Sequence, residues 1–162
     1  MEREGFMEEI YRGILDGDRF FREADRGDEK KVREILERFD GLLKTWPSRT
    51  IEEAGRIPRE MLDAMGKAGL FGISIPEAYG GLGLGLRDLV RVVDAVSEAD
   101  MSSALAFLAH LLIGVKAIDL YGTKEQKRKY LRPAAAGEMI FSYALTEPET
   151  GEAPDTSAET AD

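Results

Sequence analysis

Four glycines at positions 80, 81, 83 and 85 are the first residues whose type and spacing suggest chemistry, because glycine-rich turns can cradle phosphates. The G-x-G-x-x-G frame is not met, since Leu86 occupies its last position. No strand-then-helix unit with an acidic residue downstream supports it either, so a dinucleotide loop is rejected. Tyr79-Gly80-Gly81 could cover a substrate, and a tight connection that needs positive φ accounts for it nearly as well. The chain has no cysteine and a single histidine, His110. Disulfides, thiol catalysis and cysteine-ligated metals are thereby excluded, and a zinc enzyme or a Ser–His–Asp device is disfavoured. His110 itself reads as satisfied by a neighbour or exposed at the edge of a bundle, not as a catalytic group.

Charge narrows the partners. The net charge of −9 argues against nucleic acid. Six of those nine charges come from Glu147, Glu149, Glu152, Asp155, Glu159 and Asp162, with no basic residue among them, which leaves residues 1–146 near balance at −3. The lysines and arginines between Lys124 and Arg132 form a basic face that reads as solvated surface. The opening MEREGFMEEI lacks the apolar core of a signal peptide, and the composition suits a soluble, cytoplasmic protein.

The elements that must position any site are helical. Phe6, Ile10 and Ile14 make a short helical signal in an arm, residues 1–27, whose Phe20 and Phe21 are expected to dock on the body. Asp28 is placed to cap the next helix, with Val32, Ile35, Leu36, Phe39, Leu42 and Leu43 as its apolar stripe and Trp46-Pro47 as its end. Residues 48–56 read as a polar loop. Pro58 opens a helix with Met61, Leu62, Met65 and Ala68 inward, closed by Gly69. Pro76 and the glycines argue against regular structure from Leu70 to Leu86. Leu86, Leu89, Val90, Val93 and Val96 form the stripe of a further helix. Thr123 and Gln126 form a capping box for the last helix, which turns Tyr130 and Leu131 inward.

Between them lies Met101–Tyr121, capped by Asp100 and stopped by Gly122, and apolar on nearly every face. Lys116 and Asp119 interrupt the run, so it is expected to be a central helix wrapped by its neighbours rather than inserted in a membrane. After Gly137, Ile140, Phe141, Tyr143 and Leu145 predict the first strand of a new domain, ended by Pro148. The polar remainder is expected to be disordered in isolation. The fold class is therefore all-α, a bundle of about six helices over residues 28–137, with residues 138–162 as the start of a truncated β domain.

Three segments, GLFGISIPEAYGGLGL, YGTKEQKRKYL and SYALTEPETG, in this order and spacing, resemble the N-terminal half of the flavin-dependent acyl-CoA dehydrogenases. The resemblance covers roughly residues 57–151, and HLLIGVKAIDLYGTKEQKRKYL is most similar to the very-long-chain branch. It implies α,β-dehydrogenation of fatty acyl-CoA thioesters in fatty acid β-oxidation, with FAD as cofactor. An electron-transfer flavoprotein would be the partner and a homo-oligomer the assembly, with neither nucleic acid nor membrane insertion.

The resemblance also implies roles. Tyr143, Leu145 and Thr146 match the segment beside the flavin ring, where main-chain groups and the threonine hydroxyl can bond its polar edge. Gly151 matches a glycine that admits cofactor and thioester closely. Leu105, Ala106, Ala109 and Ile113 match the acyl-channel lining, although core packing is their more ordinary role. The family continues after this glycine with Ser-Asp, whereas Glu152-Ala153-Pro154 follows here, putting a carboxylate where a pyrophosphate would be repelled. No glutamate matches the family's base, so no catalytic residue is assigned, and the chain alone is expected to be inactive and without retained FAD. The alternative is a non-catalytic helical interaction domain that needs a partner or self-association.

Overall fold

The computed structural model describes residues 11–13 and 27–143. The arm's stripe (Phe6, Ile10, Ile14, with Phe20 and Phe21) and the candidate positions Leu145, Thr146 and Gly151 lie outside them. Six helices carry the fold: α1 (Glu29–Thr45), α2 (Ser48–Ala54), α3 (Arg59–Ala68), α4 (Leu86–Ala99), α5 (Met101–Tyr121) and α6 (Lys124–Ala135). Among the described residues there is no strand. Residues 141–143 run without regular structure, and the rest of the expected strand lies beyond them.

The caps form where the sequence places them. Asp28 accepts the Lys31 N–H at 2.9 Å, and Thr123 and Gln126 exchange both bonds of a capping box. Gly69 closes α3 in the left-handed region at φ 93°. Gly122 ends α5 differently, in an extended conformation at φ −64°, because the next residue is already the N-cap of α6.

Two expectations need correction. Residues 48–54 are not a loop but helix α2, with Ile51 buried. Its polar composition hid it, because a single apolar residue anchors it. The glycine-rich stretch holds two 3-10 turns, Leu70–Gly72 and Glu77–Tyr79. Beyond them the backbone folds on itself: Leu82, Gly83 and Leu84 donate to the carbonyls of Gly72, Ile75 and Ile73, each at 2.9 Å. These amides serve the loop's own fold, and a Cβ at Gly81 would collide with the Ile75 carbonyl. The tight-connection reading of this loop therefore accounts for Gly80, Gly81 and Gly83.

The core gathers Ile35 and Phe39 of α1, Met61 and Met65 of α3, Leu70, Phe71 and Ile73 of the loop, Val92 and Val96 of α4, Phe107 and Leu111 of α5, and Leu131 of α6. Burying each such side chain contributes about 1.5–3 kcal/mol. Helix α4 is rotated relative to the expected stripe. Leu89 and Val96 are buried, but so are Val92 and Asp88, whereas Leu86 and Val90 are 65% and 56% exposed. The cause is Asp88, whose carboxylate accepts the Asp28 N–H at 3.0 Å and so turns that face toward α1.

Helix α5 runs unbroken for 21 residues, and an 18-residue stretch of it has mean hydropathy 1.7, long and apolar enough by length and composition to cross a membrane. It is not wrapped on all sides as expected. Ala104, Phe107, Leu111 and Val115 are buried, while Met101, Leu105, Ile113, Leu120 and Tyr121 are each more than half exposed. From Ala109 to Val115 its ladder is π-helical, a widened turn that periodicity does not reveal.

Asp100 joins this helix to α2. One carboxylate oxygen caps α5 by accepting the Ser103 N–H at 2.8 Å, and the other accepts the Ser48 hydroxyl at 2.8 Å. Replacing Asp100 by Ala is expected to lower stability by about 1–2 kcal/mol, the sum of a lost cap and a lost side-chain bond. Asp100→Asn should lose much less, since asparagine also caps. Urea midpoints of the three proteins check this.

Candidate functional site

Three of the four acyl-channel candidates meet at one place. Leu105, Ala106 and Ala109 line an open hollow of about 510 Å³ between α5 and α2, with Ser102, Ile51, Glu52, Gly55, Arg56 and Ile57. Ile113 does not line it. It stands further along the same face of α5 and is 53% exposed. Leu105 is 61% exposed, so its role is not core packing in this chain. The opposite wall, from Ile51 to Ile57, was missed by sequence reasoning because it was read as loop. The one available signal was the pair of isoleucines flanking a polar run.

Chemically the hollow is an apolar floor with a charged rim formed by Glu52 and Arg56. It can bury a hydrocarbon but holds no paired acid and base. A larger hollow of about 730 Å³ lies elsewhere, bordered by Arg38, Arg59, Asp63, Lys67 and Glu138. Its charges are largely engaged, with Arg59 on Asp63 at 2.9 Å and Arg38 donating to the Ala68 carbonyl at 3.3 Å. It contains none of the candidate residues. Among the described residues no group of three His, Asp or Glu side chains could hold a metal ion.

Residues 138–143 lead away from α6 toward the positions named for the cofactor. Tyr143 is 60% exposed. Phe141 is half-buried, and its N–H donates to His110 Nδ1 at 3.0 Å. His110 is fully buried, with the Phe71 ring edge-on at 5.1 Å. Burial pushes its pKa down to about 4, against a weaker opposing effect of the Ala134 and Phe71 carbonyls. The ring is therefore neutral, and because Nδ1 accepts, its proton resides on Nε2, which has no partner at hydrogen-bond distance. Of the two readings of His110, exposure at the bundle edge is not found, and a neighbour satisfies Nδ1 but not Nε2. Ser142 and Tyr143 are exposed and outside any helix.

Among the described residues the chain is an all-helical bundle with an apolar face open on its central helix, beside an exposed segment. The family model for the acyl-CoA dehydrogenase N-terminal domain matches residues 29–138, and the chain belongs to that family. A probable acyl-CoA dehydrogenase of Mycobacterium tuberculosis is 39% identical over 132 residues, which are 81% of this chain and 19% of that protein. The very-long-chain specific acyl-CoA dehydrogenase of rat mitochondria is matched to a similar degree, 38% over 96 residues, covering 59% of this chain and 15% of that protein. Among solved structures, the acyl-CoA dehydrogenase of Bacillus anthracis complexed with FAD superposes with a TM-score of 0.64 at 32% identity, covering 76% of this chain and 22% of that one. The chain spans from about a fifth to a third of the length of the first curated relatives it matches, 19% in one and 33% in another.

Proposed function

We propose that residues 28–137 form the helical wall of an acyl-CoA dehydrogenase, and that residues 138–162 begin its β domain. In this reading Leu105, Ala106 and Ala109 border the fatty acyl chain, with Ile113 continuing the same wall. Tyr143, Leu145, Thr146 and Gly151 flank the flavin. FAD in the complete enzyme supplies the hydride acceptor, and electrons pass on to an electron-transfer flavoprotein. The observation that carries the reading is the apolar hollow between α2 and α5, which joins three residues singled out for one role. The catalytic base and most of the FAD site belong to parts of the family fold that these residues do not supply. The chain alone is therefore inactive and does not retain FAD, and the complete protein is a cytoplasmic homo-oligomer.

A spin-labelled acyl-CoA added to the isotope-labelled chain tests the wall. Its broadening should fall on the methyl groups of Leu105, Ala106 and Ala109. Broadening at the Arg38–Lys67 hollow, or nowhere, would remove the assignment. A yellow preparation that reduces a dye with acyl-CoA would refute the inactivity.

The open face of α5 also favours a second reading, a helical interaction domain covered by self-association or by a partner. Sedimentation separates the two. A clean monomer at high concentration counts against a self-associating interface.

A further inference from the structure

The chain leaving α6 crosses α5 at its π-helical turn, and the crossing is closely determined. The Phe141 N–H meets His110 Nδ1 at 3.0 Å. Four residues on, a Cβ at Gly114 would stand 2.5 Å from the Phe141 Cβ and 2.7 Å from its carbonyl carbon, so the segment lies directly on the helix there. The Phe141 ring packs 6.0 Å from the imidazole and 6.2 Å from the Tyr130 ring. The imidazole is fully buried and presents a single acceptor to a single main-chain donor.

That arrangement acts on register more than on adhesion. A slip of one residue would take the Phe141 N–H away from His110 and its ring away from the imidazole and Tyr130. The ring contacts fix which residue sits at the crossing, and the single acceptor aimed at its N–H fixes how the backbone is turned there.

We infer that His110 is a positioning residue, whose Nδ1 sets the register in which Phe141–Tyr143 crosses the turn of α5 that also carries Ala109 and Ile113. Tyr143 is thereby held in fixed relation to the acyl wall, on the side where the flavin would lie. This last step rests on the flavin reading proposed above, whereas the register itself does not.

Because His110 is the single histidine, its imidazole can be read in the full chain without assignment work. Nitrogen-15 spectra should show a neutral ring with the proton on Nε2. A proton on Nδ1 would overturn the inference, even if every variant failed to fold. Among variants, His110→Asn places an acceptor near the position of Nδ1, His110→Gln places it beyond, and His110→Leu has none. Amide exchange at Phe141 is expected to quicken roughly tenfold in the Gln and Leu variants and to stay within about threefold of the parent in the Asn variant. Equal exchange in all four proteins, with helix content unchanged, would overturn the assignment. Titration with FAD forms a separate arm. Its failure in the parent chain bears on cofactor retention, and the exchange pattern still decides the register.

Discussion

Gly114→Ala is expected to destabilise the chain by about 1–3 kcal/mol, although helix propensity alone favours alanine by roughly 1 kcal/mol. The sign is set by packing. The new Cβ would stand 2.5 Å from the Phe141 Cβ, 2.7 Å from its carbonyl carbon and 2.8 Å from its carbonyl oxygen. Two of those atoms are backbone, so relief requires moving the whole crossing segment rather than turning a side chain. Displacement would break the Phe141–His110 bond and separate the Phe141 and Tyr130 rings. Urea denaturation gives the energy, and Phe141 amide exchange reports whether the segment has lifted. A variant as stable as the parent, with Phe141 still protected, would show that the crossing is looser than this geometry requires.

Stability should also fall as pH drops from about 6.5 to about 4, by roughly 2–3 kcal/mol. The ring of His110 ordinarily titrates near 6.5, and burial lowers this to about 4 in the folded chain. Between those values the unfolded chain holds the extra proton and the folded chain does not, so acid favours unfolding. Above this window the effect vanishes, and below it the loss is complete and constant. The carboxylate of Glu77, held low by its bond to Lys31, is itself largely exposed to solvent and adds little. His110→Asn should abolish the dependence in this window, because no other histidine remains. Denaturation midpoints at pH 7, 5.5 and 4.5 check both proteins. A parallel decline in the variant would place the acid sensitivity elsewhere.

The helices and their ends were legible because they depend on local chemistry. Asp28, Asp100 and the Thr123/Gln126 pair cap where their side chains can reach the first free N–H groups, and the apolar stripe of α1 faces inward. Helix α2 was not legible. Its polar composition gives no period, and its place depends on Ser48 meeting Asp100, 52 residues away. The same holds for α4, where a buried carboxylate that bonds the start of α1 turns the helix away from its most apolar stripe. Of the acyl-wall residues, family motifs marked one side of the hollow but not the facing wall of Ile51 and Ile57, which no motif covered.

By itself, then, the sequence determined an all-α bundle, its capped boundaries and its family, since repeat spacing, caps and motifs are properties of neighbouring residues. Only the tertiary structure decided which face of α5 stays open, that the opposite wall is a helix, and that His110 faces a main-chain N–H. Each of these depends on groups distant in the chain arriving at one place. Their bonds and contacts exist only once the helices have packed.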